Sequence, residues 1–158
     1  MWSQEIRLSL PRLSLPHLSV PEPLAPTAEQ PWSENQLKVL LVDDEEDVRF
    51  LMTHMLRKAG IKQVQAVPGG REALDSLHSG AVPDLVILDQ IMPGLDGVQT
   101  LSLIRQLHPD LPVLIASGQP DIQEWDVFKQ DHLAVISKPF SLNEFKVKLA
   151  EIGMILRA

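Results

Sequence analysis

Leu85-Val86-Ile87-Leu88-Asp89, continued by Gln90-Ile91-Met92-Pro93-Gly94-Leu95-Asp96-Gly97, decides the fold. Four apolar residues in succession, two of them β-branched, have the pattern of an interior parallel strand buried on both faces. A carboxylate closes the run, and Pro93-Gly94 forces a tight turn soon after it. In an open α/β sheet ligands bind beyond the C-terminal ends of the strands, which is where Asp89 falls. Alone, an Asp in that place is most simply a turn opener or a helix cap. Its company argues otherwise.

Three further strand-like runs end in polar residues of complementary kinds. Leu37-Lys38-Val39-Leu40-Leu41-Val42 ends in Asp43-Asp44, Pro112-Val113-Leu114-Ile115-Ala116 in Ser117-Gly118, and Leu133-Ala134-Val135-Ile136-Ser137 in Lys138-Pro139. Parallel strands joined by helices bring their C-terminal ends to one edge, so three carboxylates, a hydroxyl and an ammonium converge there. Carboxylates crowded together repel, and burying them without counter-charge is costly, so the cluster calls for a divalent cation. An all-oxygen donor set with no His or Cys points to Mg²⁺.

The order Asp43-Asp44, Asp89, Ser117, Lys138-Pro139, with Met92-Pro93-Gly94-Leu95-Asp96-Gly97 behind the central Asp, resembles the receiver domain of two-component response regulators. The resemblance covers roughly Leu37 to Ala158. An Asp pair or a Lys-Pro occurs by chance in many chains, but five such features in order on the right elements form a specific signature.

Composition is consistent with one such domain and an appendage, in a chain of 158 residues. Hydrophobic residues make up 44% and cysteine is absent, so a full core is available while disulfides, thiol catalysis and zinc-thiolate sites are excluded. The net charge of -7 argues against nucleic-acid binding. No apolar run approaches the roughly 20 residues of a membrane span, and Pro11 and Pro16 interrupt any signal peptide, so a cytoplasmic protein is expected.

Residues 1–36 stand apart, holding six of the thirteen prolines and no glycine. A five-residue repeat runs through them: Leu8-Ser9-Leu10-Pro11-Arg12, Leu13-Ser14-Leu15-Pro16-His17, Leu18-Ser19-Val20-Pro21-Glu22. Proline in each copy removes a backbone donor, so a mobile, extended tail or linker is expected rather than a strand. Its exposed leucines leave open a docking peptide, and a hybrid-kinase linker is a further alternative.

Residues 37–158 alternate between strand and helix patterns. The first helix is expected from about Glu46 to Ala59 with Val48, Leu51, Met52, Met55 and Leu56 inward, and His54 on the surface. A strand at Gln63 to Val67 and a helix carrying Ala73, Leu74 and Leu77 follow. Asp96-Gly97 opens a helix with Val98, Leu101, Ile104 and Leu107 inward, stopped before Pro109. A short fourth helix is expected over 121–130, with Trp125 and Phe128 in the core. Ser141 and Glu144 form a capping box for the last helix, whose stripe is Leu142, Phe145, Leu149, Ile152 and Leu156. That stripe must cover the sheet first; a homodimer seam through the last helices is the alternative. The fold expected is α/β: five helices around a doubly wound, five-stranded parallel sheet of order 2-1-3-4-5, flavodoxin-like.

The resemblance implies a phospho-accepting signalling domain, not an enzyme in the ordinary sense, that promotes its own phosphorylation and dephosphorylation. Asp89 would take the phosphoryl group from a phosphohistidine on a sensor histidine kinase or histidine phosphotransfer protein. Mg²⁺ would be held by Asp44, Asp89 and the backbone carbonyl of Ile91, with Asp43 acting through coordinated water. Lys138 and Ser117 would contact phosphoryl oxygens, and Pro139 would follow a cis peptide. Where most receivers carry a switch aromatic, three residues before the lysine, this chain has Val135. Gln90, Ile91 and Gln119 surround the acceptor. The chain closes after the last helix, so no DNA-binding output domain is expected and signalling would run through protein contact. A phosphate-independent pseudo-receiver and a fragment of a hybrid kinase are the alternatives.

Overall fold

A computed structural model describes residues 36–152. The expected tail up to Glu34-Asn35 and the end of the last helix, Leu156 included, lie outside the described residues. Within them the elements run β1 (Lys38–Val42), α1 (Glu46–Lys58), β2 (Gln63–Val67), α2 (Gly70–His78), β3 (Leu85–Asp89) and α3 (Gly97–Leu107). β4 (Val113–Ser117), two 3₁₀ turns (Ile122–Glu124 and Asp126–Phe128), β5 (Leu133–Ser137) and α4 (Leu142–Glu151) complete them. All four strand pairings are parallel, in the order β2-β1-β3-β4-β5. This is the flavodoxin-like arrangement expected from the strand-end residues.

Every residue of β3 and β4 is buried, which is why those runs carry no polar alternation. Successive side chains point to opposite faces and so divide between two cores. Leu40, Val42, Val86, Leu88, Val113 and Ile115 pack with Ala73 and Leu77 of α2, Leu101 and Ile104 of α3, Ile122 and Phe128. Val39, Leu41, Ile87, Leu114 and Ala134 pack on the other face with Met52 and Leu56 of α1 and Phe145 and Leu149 of α4. Phe145 has no exposed surface, and burying a side chain of that size is worth about 1.5–3 kcal/mol.

Four expectations need correction, the simplest being Leu107, which is 37% exposed at the end of α3 rather than inward. Four α-helices are present among the described residues, not five: the stretch expected as a fourth helix forms only the two 3₁₀ turns. Pro120 precedes Asp121, which takes the left-handed backbone conformation at φ 59°, and Trp125 is extended at φ -69° and ψ 129°, so no continuous helical ladder can pass. Phe128 is in the core as expected, whereas Trp125 is 41% exposed and stacks on it with ring centroids 6.0 Å apart. On α1, Leu51 is 66% exposed rather than inward, because the contact with the sheet is carried by Met52 and Leu56. His54 lies on the surface, and the capping box of Ser141 and Glu144 is formed. No helix among the described residues is long and apolar enough to cross a membrane.

Candidate functional site

Four strands deliver their final residues to one rim. Asp43 follows β1 and is almost fully buried; its Oδ1 accepts the Glu45 N–H at 2.9 Å, and Arg49 Nη1 donates to its carbonyl oxygen at 2.7 Å. Asp44 beside it is exposed. Asp89, the last residue of β3, is buried, and the backbone N–H of Ile91 bonds its carboxylate. From each of Asp43, Asp44 and Asp89 one carboxylate oxygen lies within 4.8 Å of the other two.

Lys138 arrives from the end of β5. Its backbone N–H donates to the Ser117 carbonyl at 2.7 Å, and its Nζ donates to Asp43 Oδ2 at 3.0 Å and Asp89 Oδ1 at 3.1 Å. The Lys138–Pro139 peptide is cis. Burial pushes the Asp89 carboxyl above its ordinary value; Lys138 opposes that rise and Asp43 adds to it. Burial would lower Lys138, but its contacts with Asp43 and Asp89 outweigh it and hold the ammonium above its ordinary value. The charged pair is therefore mutually supporting, with Asp89 buried and Lys138 partly open to solvent.

Ser117 closes β4 and is 1% exposed. Its Oγ accepts the Gln119 N–H at 3.0 Å and reaches Gln90 Oε1 at 3.5 Å. Pro93-Gly94 turns the chain away from Asp89, with Gly94 at φ 78°, a conformation that suits glycine. Asp96 then caps α3.

A family model described as the response regulator receiver domain matches residues 39–150. The chain belongs to the response regulator receiver domain family. Sporulation initiation phosphotransferase F of Bacillus subtilis is 31% identical over 110 residues, an alignment covering 69% of this chain and 87% of that protein. Response regulator MprA of Mycolicibacterium vanbaalenii is 35% identical over 125 residues, covering 77% of this chain and 51% of that one. The DNA-binding transcriptional regulator NtrC of Klebsiella pneumoniae is 33% identical over 105 residues, 66% of this chain. The chain thus spans 51% of MprA and 22% of NtrC. Among solved structures, the response regulator TrrA of Thermotoga maritima in complex with Mg²⁺-BeF matches with a TM-score of 0.65 and 28% identity, over 73% of this chain and 98% of that one. The chemotaxis protein CheY4 of Vibrio cholerae matches with the same TM-score and coverage at 27% identity.

In this receiver the residues singled out from the sequence come together: Asp43, Asp44, Asp89 and Lys138 in one cluster, with Ser117 tied to it through the Lys138 backbone. The donor set suits a hard divalent cation, since all the ligand atoms are oxygens, negative charge is in excess, and exposed Asp44 leaves a way in for ion and water. Val135 is buried in the core on the α3 side. Two features went unread in the sequence, the Arg49 bond to the Asp43 carbonyl and the contact of Gln90 with Ser117. An arginine six residues past Asp43 and a glutamine directly after a buried strand were the available signals.

Proposed function

We propose that residues 37–158 form a phospho-accepting receiver in which Asp89 takes a phosphoryl group from a phosphohistidine on a sensor histidine kinase or histidine phosphotransfer protein. A new bond forms between an Asp89 carboxylate oxygen and phosphorus, the bond from phosphorus to imidazole nitrogen breaks, and the imidazole leaves to take up a proton from solvent. The observation that carries this is Lys138 Nζ bridging Asp43 and Asp89 at 3.0 and 3.1 Å beside Asp44. A scaffold has no need of three converging carboxylates and a half-buried ammonium held between two of them.

Asp43, Asp44, Asp89 and the backbone carbonyl of Ile91 would hold Mg²⁺, which when bound supplies cancellation of charge between the attacking carboxylate and the phosphoryl oxygens. Lys138 gives its ammonium to a phosphoryl oxygen as its contact with Asp89 is exchanged. Ser117 donates its hydroxyl to another, drawing the segment after β4 with it and shifting the balance between two conformations. The signal then passes by protein contact, in a cytoplasmic setting.

Intact mass after incubation with acetyl phosphate and Mg²⁺ tests this. Wild type gains about 80 Da, one phosphoryl group, and Asp89→Asn gains nothing. Wild type that stays unmodified, or an Asp89→Asn variant that gains the same mass, overturns the assignment in favour of a phosphate-independent interaction module.

A further inference from the structure

Gln90 is a buried polar side chain that directly follows Asp89 at the polar rim of the sheet. It is 7% exposed, and its neighbour across the sheet end, Ser117, is 1% exposed. Ser117 Oγ already accepts the Gln119 N–H at 3.0 Å, so the group it has left to give is its O–H, and Gln90 Oε1 is the acceptor in reach at 3.5 Å. This is the outer limit of a hydrogen bond, formed where water cannot compete.

The backbone of Gln90 is fixed on both sides. Its N–H donates to the Ala116 carbonyl at 3.1 Å, and its own carbonyl accepts the Gly97 N–H at 2.9 Å. A Cβ at position 97 would stand 2.6 Å from Gln90 Cα, so only glycine lets α3 start this close. The side chain therefore leaves a rigid anchor directly beside the acceptor carboxylate of Asp89.

We propose that Gln90 is a positioning residue whose side-chain carbonyl competes with the phosphoryl group for the hydroxyl proton of Ser117. The inference rests on the phospho-acceptor function proposed above. In the resting state the proton is held by Gln90 Oε1; in the phosphorylated state it passes to a phosphoryl oxygen, and Gln90 loses its donor. No covalent bond changes, only the acceptor of one hydrogen bond. Val135, β-branched and buried, has no ring to move with Ser117, so this exchange is what the Ser117 side of the site contributes to the switch. A competitor that must be released lowers the apparent affinity for the phosphoryl group by the fraction of molecules in which the hydroxyl is free.

The test is binding of beryllofluoride with Mg²⁺, the probe present in the TrrA structure, measured by calorimetry on the full chain. Gln90→Met removes the competing carbonyl at similar volume and tightens binding on the order of fivefold. Gln90→Leu, made in parallel, tightens it as well. Gln90→Glu puts a charged acceptor against the same hydroxyl and near the bound anion, and weakens binding at least about tenfold. Ser117→Ala weakens binding, and adding Gln90→Met to Ser117→Ala brings no further change, because the two act on one proton.

Opposite signs for Gln90→Met and Gln90→Glu, vanishing without Ser117, are not what a merely structural glutamine would give. The inference fails if both non-accepting variants bind wild-type-like or weaker, or if their gain persists in the Ser117→Ala background. A wild-type chain that neither binds beryllofluoride nor gains phosphate mass overturns the phospho-acceptor function, and the inference with it. A wild type that does both, with Gln90 variants uncoupled from Ser117, overturns the inference alone.

Discussion

α3 and the stretch from Asp121 to Gln130 cover the same face of the sheet and are held there in opposite ways. Leu101 and Ile104 of the first, and Ile122 and Phe128 of the second, enter one core. Both begin after an Asp. Asp96 is extended, its Oδ1 accepts the Gln99 N–H at 2.8 Å, and Gln99 Oε1 accepts the Asp96 N–H at 3.0 Å. Asp121 is left-handed and caps nothing. A continuous helical ladder holds α3, whereas the second stretch has two short 3₁₀ turns, its core contacts at Ile122 and Phe128, and a guanidinium that fastens its C-terminal end. Arg105 of α3 donates to Gln130 Oε1 at 2.8 Å, to the His132 carbonyl at 3.0 Å and to the Leu111 carbonyl at 2.6 Å. Burial lowers the pKa of that guanidinium from its ordinary value, and Asp110 only partly offsets this. The segment that follows Ser117 can therefore shift without melting an α-helix, because its backbone bonds are confined to two short turns.

The contrast can be broken at its core contacts first. Ile104→Ala, at a side chain with no exposed surface in a rigid helix, costs about 4 kcal/mol, while Ile122→Ala, equally buried, costs about 2 kcal/mol because its segment can close on the gap. Urea unfolding midpoints measure both, and equal losses would remove the distinction. Arg105→Met comes next, at about 2 kcal/mol, through the lost bonds to the Leu111 and His132 carbonyls and to Gln130. Hydrogen exchange should then quicken across 121–132 while α3 keeps its protection. Asp96→Ala sharpens the other side: losing the cap costs about 1 kcal/mol and leaves exchange in 121–132 unchanged.

The smallest effect concerns the same capping device at α4. Glu144 accepts the Ser141 N–H at 2.7 Å, and that hydrogen bond lowers its pKa from the ordinary 4.5. A depressed carboxyl contributes stability above the unfolded value that is lost as pH falls through the folded one. Wild type should therefore exceed Glu144→Gln in stability above about pH 4.5, with the difference shrinking below it. A pH-independent difference between their unfolding midpoints would show that the charge plays no part.

What could be seen in advance follows from how each region is held. The strands were legible because β3 and β4 are apolar at every position before the terminal polar residue, and the convergence of Asp43, Asp89 and Lys138 followed from parallel topology. α3 was legible because its cap and its Leu101 and Ile104 spacing agree. The second stretch imitates a helix in one dimension, with Trp125 and Phe128 three apart, but the left-handed Asp121 and the extended Trp125 break the ladder and leave no mark in the spacing of apolar residues. The Gln90 contact with Ser117 joins residues 27 apart in sequence and leaves no periodic trace.

Lys138 meets Asp43 across 95 residues of chain, and the strands they end are separated in the sheet by β3 and β4. A polypeptide truncated after β3 holds Asp43, Asp44 and Asp89 but lacks Lys138, whose ammonium bridges Asp43 and Asp89. The charge balance of this cluster is therefore complete only when the fifth strand, at the far edge of the sheet, is in place.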